Sequence, residues 1–138
     1  MEEVRQAAFK LENYHFSKVE MNLDVIKSGN IDVDFIPSGI YRKDKGIFEL
    51  TFDFKANFKN SETPFIDIQC KSSFSFVNVK SLSEIPPFFY ANSIAILFPY
   101  IRAFVSTITL QANLTPLILP TYNLTSLESK FSGNVIEE

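Results

Sequence analysis

Between Phe48 and Phe58 apolar and polar residues alternate without a break. Phe48, Leu50, Phe52, Phe54, Ala56 and Phe58 fall on one side, and Glu49, Thr51, Asp53, Lys55 and Asn57 on the other. A sustained period of two marks a strand that buries one face and wets the other. The next run repeats the device. Ile66, Ile68, Cys70, Phe74 and Phe76 share one face, Asp67, Gln69, Lys71, Ser73 and Ser75 the other, with Ser72 interrupting the apolar side. Between the two runs Asn60-Ser61-Glu62-Thr63-Pro64 supplies the turn chemistry of a hairpin. Upstream, Ile31, Val33 and Phe35 alternate with Asp32 and Asp34, and the pattern predicts a strand that ends at Pro37-Ser38-Gly39. Val19, Met21, Leu23 and Val25 alternate before Ser28-Gly29-Asn30. Phe9 and Leu11, then Tyr14 and Phe16, read as an earlier strand whose phase slips near Asn13, as a β-bulge would make it. The first half is therefore expected to be a meander of about four strands, with no internal repeat.

The period changes after Pro86-Pro87. Ile94, Leu97, Phe98, Ile101, Val105 and Ile108 follow helical spacing, which predicts a long helix over residues 93–111 with Ser93 as its cap and a kink where Pro99 enters the first turns. Thr115-Pro116 and Leu119-Pro120 then force an extended loop, and residues 123–131 offer a short second helix capped by Asn123 or Thr125. Residues 88–110 carry a single charge, Arg102, so a membrane span has to be weighed. Arg102 near the middle, the polar Asn92-Ser93 and Ser106-Thr107, and the lack of flanking Lys/Arg speak against it. A helix apolar nearly all round is instead expected to be covered on both sides, by its own sheet and by a neighbouring subunit, which predicts an oligomer.

Length and composition narrow the chemistry. The 138 residues suit one domain, with an ordered core expected over about residues 9–131 and short tails outside it. A net charge of −3 without a dense basic run excludes nucleic acid as a primary partner. One Cys and one His build neither a disulfide framework nor a structural zinc site, and the single thiol suits a reducing, cytoplasmic setting. The N-terminal Met1–Lys10 has acids where a signal peptide needs positive charge. Catalysis finds no foothold. His15 has no neighbouring nucleophile, Cys70 lies on an apolar strand face, the strand acids sit on a solvated face, and four scattered glycines make no phosphate loop. The expectation is a protein that is no enzyme and needs no metal or cofactor. Phenylalanine is the unusual number, 15 residues, and rings in such excess could line a groove.

The motif Ile96-Leu97-Phe98-Pro99-Tyr100-Ile101-Arg102, followed by Pro116-Leu117-Ile118-Leu119-Pro120 and Thr121-Tyr122-Asn123-Leu124-Thr125-Ser126-Leu127, resembles the SecB export-chaperone family. Phe65-Ile66-Asp67-Ile68-Gln69, Phe74-Ser75-Phe76 and Phe9-Lys10-Leu11 look like strand segments of the same family, so the likeness runs from about Phe9 to Phe131.

The resemblance implies an α+β fold, a four-stranded antiparallel sheet with a long helix and a short C-terminal helix packed on one face. It implies a homotetramer, a dimer of dimers joined through the long helix, where Leu97, Ile101, Val105 and Ile108 are the expected interface. It also implies a holdase that keeps unfolded clients soluble without ATP, with secretory precursors as clients. By position, the client groove is expected at Phe35, Tyr41, Phe52 and Phe54 of the sheet and Leu114, Leu117 and Leu119 of the loop. Relatives that dock the SecA motor ATPase carry an acidic patch. Asp67 and Glu20 keep part of it, whereas Lys18 and Asn22 stand where acids are expected, and little sequence follows Phe131. The family's Gly-rich stretch is replaced by Cys70-Lys71-Ser72-Ser73. Other SecB-like proteins are dedicated chaperones of an antitoxin in toxin systems. That role, a non-chaperone adaptor and a membrane-associated protein are the alternatives the sequence leaves open.

Overall fold

The computed structural model describes residues 9–26, 29–120 and 124–138, the side chain of Thr125 excepted. The alternating runs form four long strands, β1 (Phe9–Met21), β2 (Ile31–Arg42), β3 (Ile47–Phe58) and β4 (Ile66–Phe76). A fifth, β5 (Val135–Glu137), joins them in the order β1-β4-β3-β2-β5, so the sheet has five strands where four were expected. The pairs β2–β3 and β3–β4 are antiparallel hairpins, but β1 lies beside β4, a Greek-key order and not a simple meander. Leu23 and Val25 belong to a 3-10 turn and not to a strand. The Asn22 amide donates to the Phe65 carbonyl at 2.9 Å, pinning the exit of β1 beside the entry to β4.

Two bulges keep β1 in phase. Its register against β4 skips Glu12, between Leu11 and Asn13, and Ser17, between Phe16 and Lys18. Each skip restores the alternation, so Phe9, Leu11, Tyr14, Phe16, Val19 and Met21 all oppose the apolar-side positions of β4. The Ser17 hydroxyl fills the second bulge by bonding the Gln69 Oε1 at 2.9 Å.

Strand β2 runs straight through Pro37-Ser38-Gly39, where the sequence suggested a stop. The Gly39 amide points to the Asn134 carbonyl at 3.1 Å, so residues in phase with Gly39 aim their amide side away from β3. Pro37 is one of them and takes no bond from the β2–β3 ladder. Gly39 serves a second purpose, because the Phe48 ring lies across it and a Cβ there would meet ring carbons at 2.4 Å.

The long helix α1 (Phe88–Gln111) starts five residues earlier than its periodicity suggested, straight after Pro86-Pro87. Proline is pre-set for a first turn, where its missing amide costs nothing. Ser93 is therefore no cap. It is buried inside the helix, its hydroxyl on the Tyr90 carbonyl at 3.4 Å. Pro99 falls mid-helix, and the Ala95 carbonyl loses its usual donor four residues on. The buried stripe Phe89, Ser93, Leu97, Ile101, Val105 and Thr109, joined by Ile94 and Phe98, faces the sheet. On one flank Tyr100 and Phe104 stack on Tyr14 and Phe16 of β1, at 4.4 and 3.9 Å between ring centroids. Phe98 reaches Phe35 of β2 at 5.8 Å on the other.

A 3-10 turn (Leu124–Leu127) leads into the short helix α2 (Glu128–Ser132), whose Phe131 is fully buried. The expected cap at Asn123 lies outside the described residues, with Thr121, Tyr122, Ser28 and the first eight residues of the chain. The Lys130 ammonium holds α2 to β2 by donating to the Phe35 carbonyl at 3.3 Å and standing 3.7 Å from the Asp34 carboxylate. Residues after Phe131 form β5, parallel to β2, and are clamped there. The Glu138 amide donates to the Tyr41 carbonyl at 2.9 Å, the Lys43 amide to the Glu138 carbonyl at 3.0 Å, and the Leu82 amide to the Glu137 carboxylate at 2.6 Å. Arg42 ties the clamp to the sheet, its guanidinium bonding Glu138 on one side and Glu49 at 2.8 and 3.2 Å on the other.

Gly39→Ala is expected to destabilise the fold by about 1–3 kcal/mol through overpacking against the fully buried Phe48, read as a lower urea midpoint. Phe48→Leu in the same chain should recover part of that loss. The Arg42 guanidinium holds the Glu49 carboxyl below its ordinary value, so Glu49 supports the clamp above the ordinary carboxylate range and releases it as pH falls through the lowered folded value. Amide exchange at residues 135–138, compared with that of β3, should accelerate selectively over that acid range. Protection that stays level with pH contradicts the coupling.

Candidate client-binding surface

Rings in excess turn out to be core. Phe9, Phe48, Phe74, Phe76, Phe89 and Phe131 form a contiguous cluster beneath the start of α1, with Phe9–Phe89 centroids at 4.8 Å and Phe48–Phe89 at 4.7 Å. Burial of this kind accounts for most of the phenylalanines without any ligand. The sheet residues expected to line a groove follow suit. Tyr41, Phe52 and Phe54 are fully buried and Phe35 nearly so, because their alternation points them under α1 and α2 and not into an open trough. Tyr41 is satisfied there, its hydroxyl donating to the Val79 carbonyl at 2.7 Å. Burial pushes its pKa up, helped by the charges of Glu84 and Glu137.

The loop after α1, residues 112–120, is apolar and lies against that helix. The Ser106 hydroxyl donates to the Leu117 carbonyl at 3.0 Å, and the Leu117 amide to the Thr109 hydroxyl at 2.9 Å. Those bonds satisfy a segment whose prolines deny it regular structure. Of its expected groove residues, Leu119 is buried, while Leu114 and Leu117 are half-buried on the core. Ile118, which the sequence reading passed over, is exposed at 66%. Alternate residues of an extended segment point opposite ways, so Leu117 and Leu119 anchor the loop and Ile118 faces outward. That alternation was the available signal.

Beside the loop, between α1 and the 3-10 turn, a cavity of about 520 Å³ is lined by Ala95, Phe98, Pro99, Arg102, Ala103, Ser106 and Leu124. It is the apolar hollow of this face. Helix α1 also leaves Ile96, Tyr100 and Leu110 exposed on its outward side. The residues expected at a subunit interface lie elsewhere. Leu97, Ile101 and Val105 are fully buried against the protomer's own sheet, and Ile108 is half-buried, so the helix face open to a neighbour is the opposite one. By length and composition α1 could cross a bilayer, at a mean hydropathy of 1.6 over its most apolar window, but its most apolar stripe is already taken up by the sheet.

The far face of the sheet is polar, and ion pairs cross it at Lys18–Asp67 and Arg42–Glu49. Glu20 lies opposite Asp67 across β1 and β4, and the Lys18 ammonium sits 3.0 Å from the Asp67 carboxylate. That hydrogen bond raises the Lys18 pKa. The two acids expected to contact a motor protein therefore share their surface with a neutralising cation. Among the described residues no cluster of three His, Cys, Asp or Glu side chains could hold a metal ion.

Sequence and fold comparisons fit this architecture. The model of the family described as "Preprotein translocase subunit SecB" matches residues 28–130, and the chain belongs to the SecB family. An uncharacterized protein of Methanocaldococcus jannaschii is 29% identical over 136 residues, spanning 92% of this chain and 86% of its own. Among solved structures, a Mycobacterium tuberculosis SecB-like chaperone in complex with a ChAD peptide from the HigA1 antitoxin superposes with a TM-score of 0.68. It is 16% identical, and the match covers 84% of this chain and 88% of that one.

Cys70 faces the core between β1 and β3, fully buried, and burial pushes its pKa up to about 11. At pH 8 the native protein should resist a thiol-specific disulfide reagent and react fully only once unfolded. Rapid labelling of the folded chain would show that this part of the core opens.

Proposed function

We propose that the protein is an ATP-independent, SecB-like holdase that binds non-native polypeptide segments along the loop of residues 112–120 and the adjoining flank of α1. The observation carrying this reading is the apolar loop itself. It is fixed to α1 by its backbone, yet presents Ile118, part of Leu114 and Leu117, and the neighbouring hollow to solvent. Unfolded chains expose branched and aromatic side chains at irregular spacing. A shallow apolar surface with few fixed polar readers suits them, whereas a specific small-molecule site would need convergent donors and acceptors. Family membership and the fold shared with the mycobacterial chaperone support the reading.

The protein acts in the cytoplasm as a homotetramer, a dimer of dimers. Its contacts use the outward side of α1, where Ile96, Tyr100 and Leu110 are exposed, together with the edge strand β1 next to Tyr14. Several weak sites on one assembly then hold one long client by effective concentration. Its clients are secretory precursors. A dedicated antitoxin client is the second reading, favoured by the Lys18–Asp67 pair, which weakens the acidic docking face a motor partner needs. The antitoxin peptide bound to the mycobacterial neighbour supports it as well.

Light scattering from an aggregating unfolded client should fall to background near one tetramer per client, without nucleotide. Ile118→Asp should weaken that suppression about tenfold, while sedimentation and circular dichroism stay as in the parent. No suppression by the parent overturns the holdase reading, and suppression untouched by Ile118→Asp moves the site off the loop. Tyr100→Asp should instead lower the sedimentation coefficient first, because a charge there would be buried unpaired in the assembly.

A further inference from the structure

Thr109 is buried on the stripe of α1 that faces the sheet, in line with Ile101 and Val105. A valine would fill the same volume without a polar group to satisfy, so the hydroxyl needs a reason to be there. Its hydrogen goes to the Val105 and Ser106 carbonyls, at 2.9 and 3.1 Å, and its oxygen accepts the Leu117 amide at 2.9 Å. The carbonyl of the same residue accepts the Leu114 amide at 3.0 Å, across a turn that Asn113 makes at a φ of 65° in the manner of a Schellman cap. One residue thus holds both ends of the bend from Leu114 to Leu117. Ser106 completes the hold by donating to the Leu117 carbonyl at 3.0 Å. Pro116 and Pro120 have no N–H to give. Among the described residues the two bonds at Leu117 are the only hydrogen bonds that tie residues 115–120 to the helix.

We propose that Thr109, completed by Ser106, is the positioning residue of the client surface, holding the loop in the one phase that presents Ile118 to a client. An extended segment can dock in either of two phases, and one step of register exchanges its inward and outward side chains. In the observed phase Leu117 and Leu119 turn to the core, while Pro116, Ile118 and Pro120 are exposed. The other phase would turn Ile118 inward and two leucines outward, so apolar burial alone does not lock the loop. The hydroxyls do, because a slipped or lifted loop leaves the buried Thr109 oxygen without the Leu117 amide. A loop divided among phases binds a client more weakly in proportion to the fraction in the competent one. The role rests on the holdase reading and adds to it the residue that keeps the surface in its binding form.

The test uses the full-length protein and a fluorescein-labelled peptide that carries Leu and Phe in a Gly/Ser background, titrated by anisotropy. Thr109→Val, which keeps the shape and removes the hydroxyl, should weaken peptide binding about three- to tenfold. Amide exchange at residues 114–119 should accelerate in that variant, while exchange in the middle of α1 and the sedimentation coefficient stay as in the parent. Thr109→Ser, which keeps the hydroxyl, should restore both affinity and protection. Ser106→Ala leaves the buried stripe intact and should loosen binding in the same direction, so the comparison stands even where Thr109→Val fails to fold. Gly39→Ala weakens the fold away from the loop and should bind the peptide as the parent does. Unchanged binding by Thr109→Val and Ser106→Ala overturns the positioning role and leaves the holdase reading standing. No rescue by Thr109→Ser, or an equal loss of affinity in Gly39→Ala, overturns it too, since the effect would then be general stability. Failure of the parent to bind the peptide overturns both readings.

Discussion

A single helix has to cover a sheet wider than itself. Strands stand about 4.8 Å apart, so four of them span roughly 14 Å between their outer axes, while a helix with its side chains is about 10–12 Å across. Helix α1 reaches both sides only by extending aromatic side chains, Tyr100 and Phe104 toward β1 and Phe98 toward β2. The corners need other material. Phe131 of α2 closes one end against Phe48, and the loop of residues 112–120 contributes Leu119, Leu117 and Leu114 to the core's margin. A loop drafted as a core cover must be apolar, and an extended backbone cannot aim every side chain inward. Exposure of Ile118 follows from that geometry.

The same constraint explains which parts of the fold could be read from sequence. Strands β3 and β4 were legible because each carries both halves of its pattern, rings on one side and charges on the other. Strand β1 was only half legible. Its first bulge shows as a phase slip near Asn13, but the second, at Ser17, made its last residues look like a separate strand running into Leu23 and Val25. Pro37 and Gly39 read as a terminator because a proline's cost depends on whether its amide faces a partner, and no local pattern tells an edge strand from a central one. Ser93 read as a cap for a related reason. Pro86-Pro87 could mark a loop or a first turn, and the packing of Phe89 in the aromatic cluster decides for the turn.

Of the candidate site, the segment was legible and the individual side chains were not. Alternation places Phe52 and Phe54 on the covered face but cannot say whether a helix or a client covers them. The structure assigns the helix. Helical spacing likewise picked out Leu97, Ile101 and Val105 as one apolar stripe, and a stripe contains no information about which of two neighbours it meets. What could be read from the prolines alone was that residues 116–120 form an extended apolar loop. Even there the inward and outward residues exchange with one step of register, so Ile118 and its neighbours could be told apart only once the bonds from Ser106 and Thr109 had fixed the phase.

Charge placement separates the two faces. On the polar face of the sheet Lys18 meets Asp67, Gln69 meets Asp53 and Arg42 meets Glu49, so the field there is short-ranged and screened at physiological salt. On the helix side Arg102 stands half-buried among apolar residues, where a charge is screened less than on the open sheet. Under the proposed holdase reading the surface has no place for a full set of polar readers, since each would reject the segments that leave it unmatched.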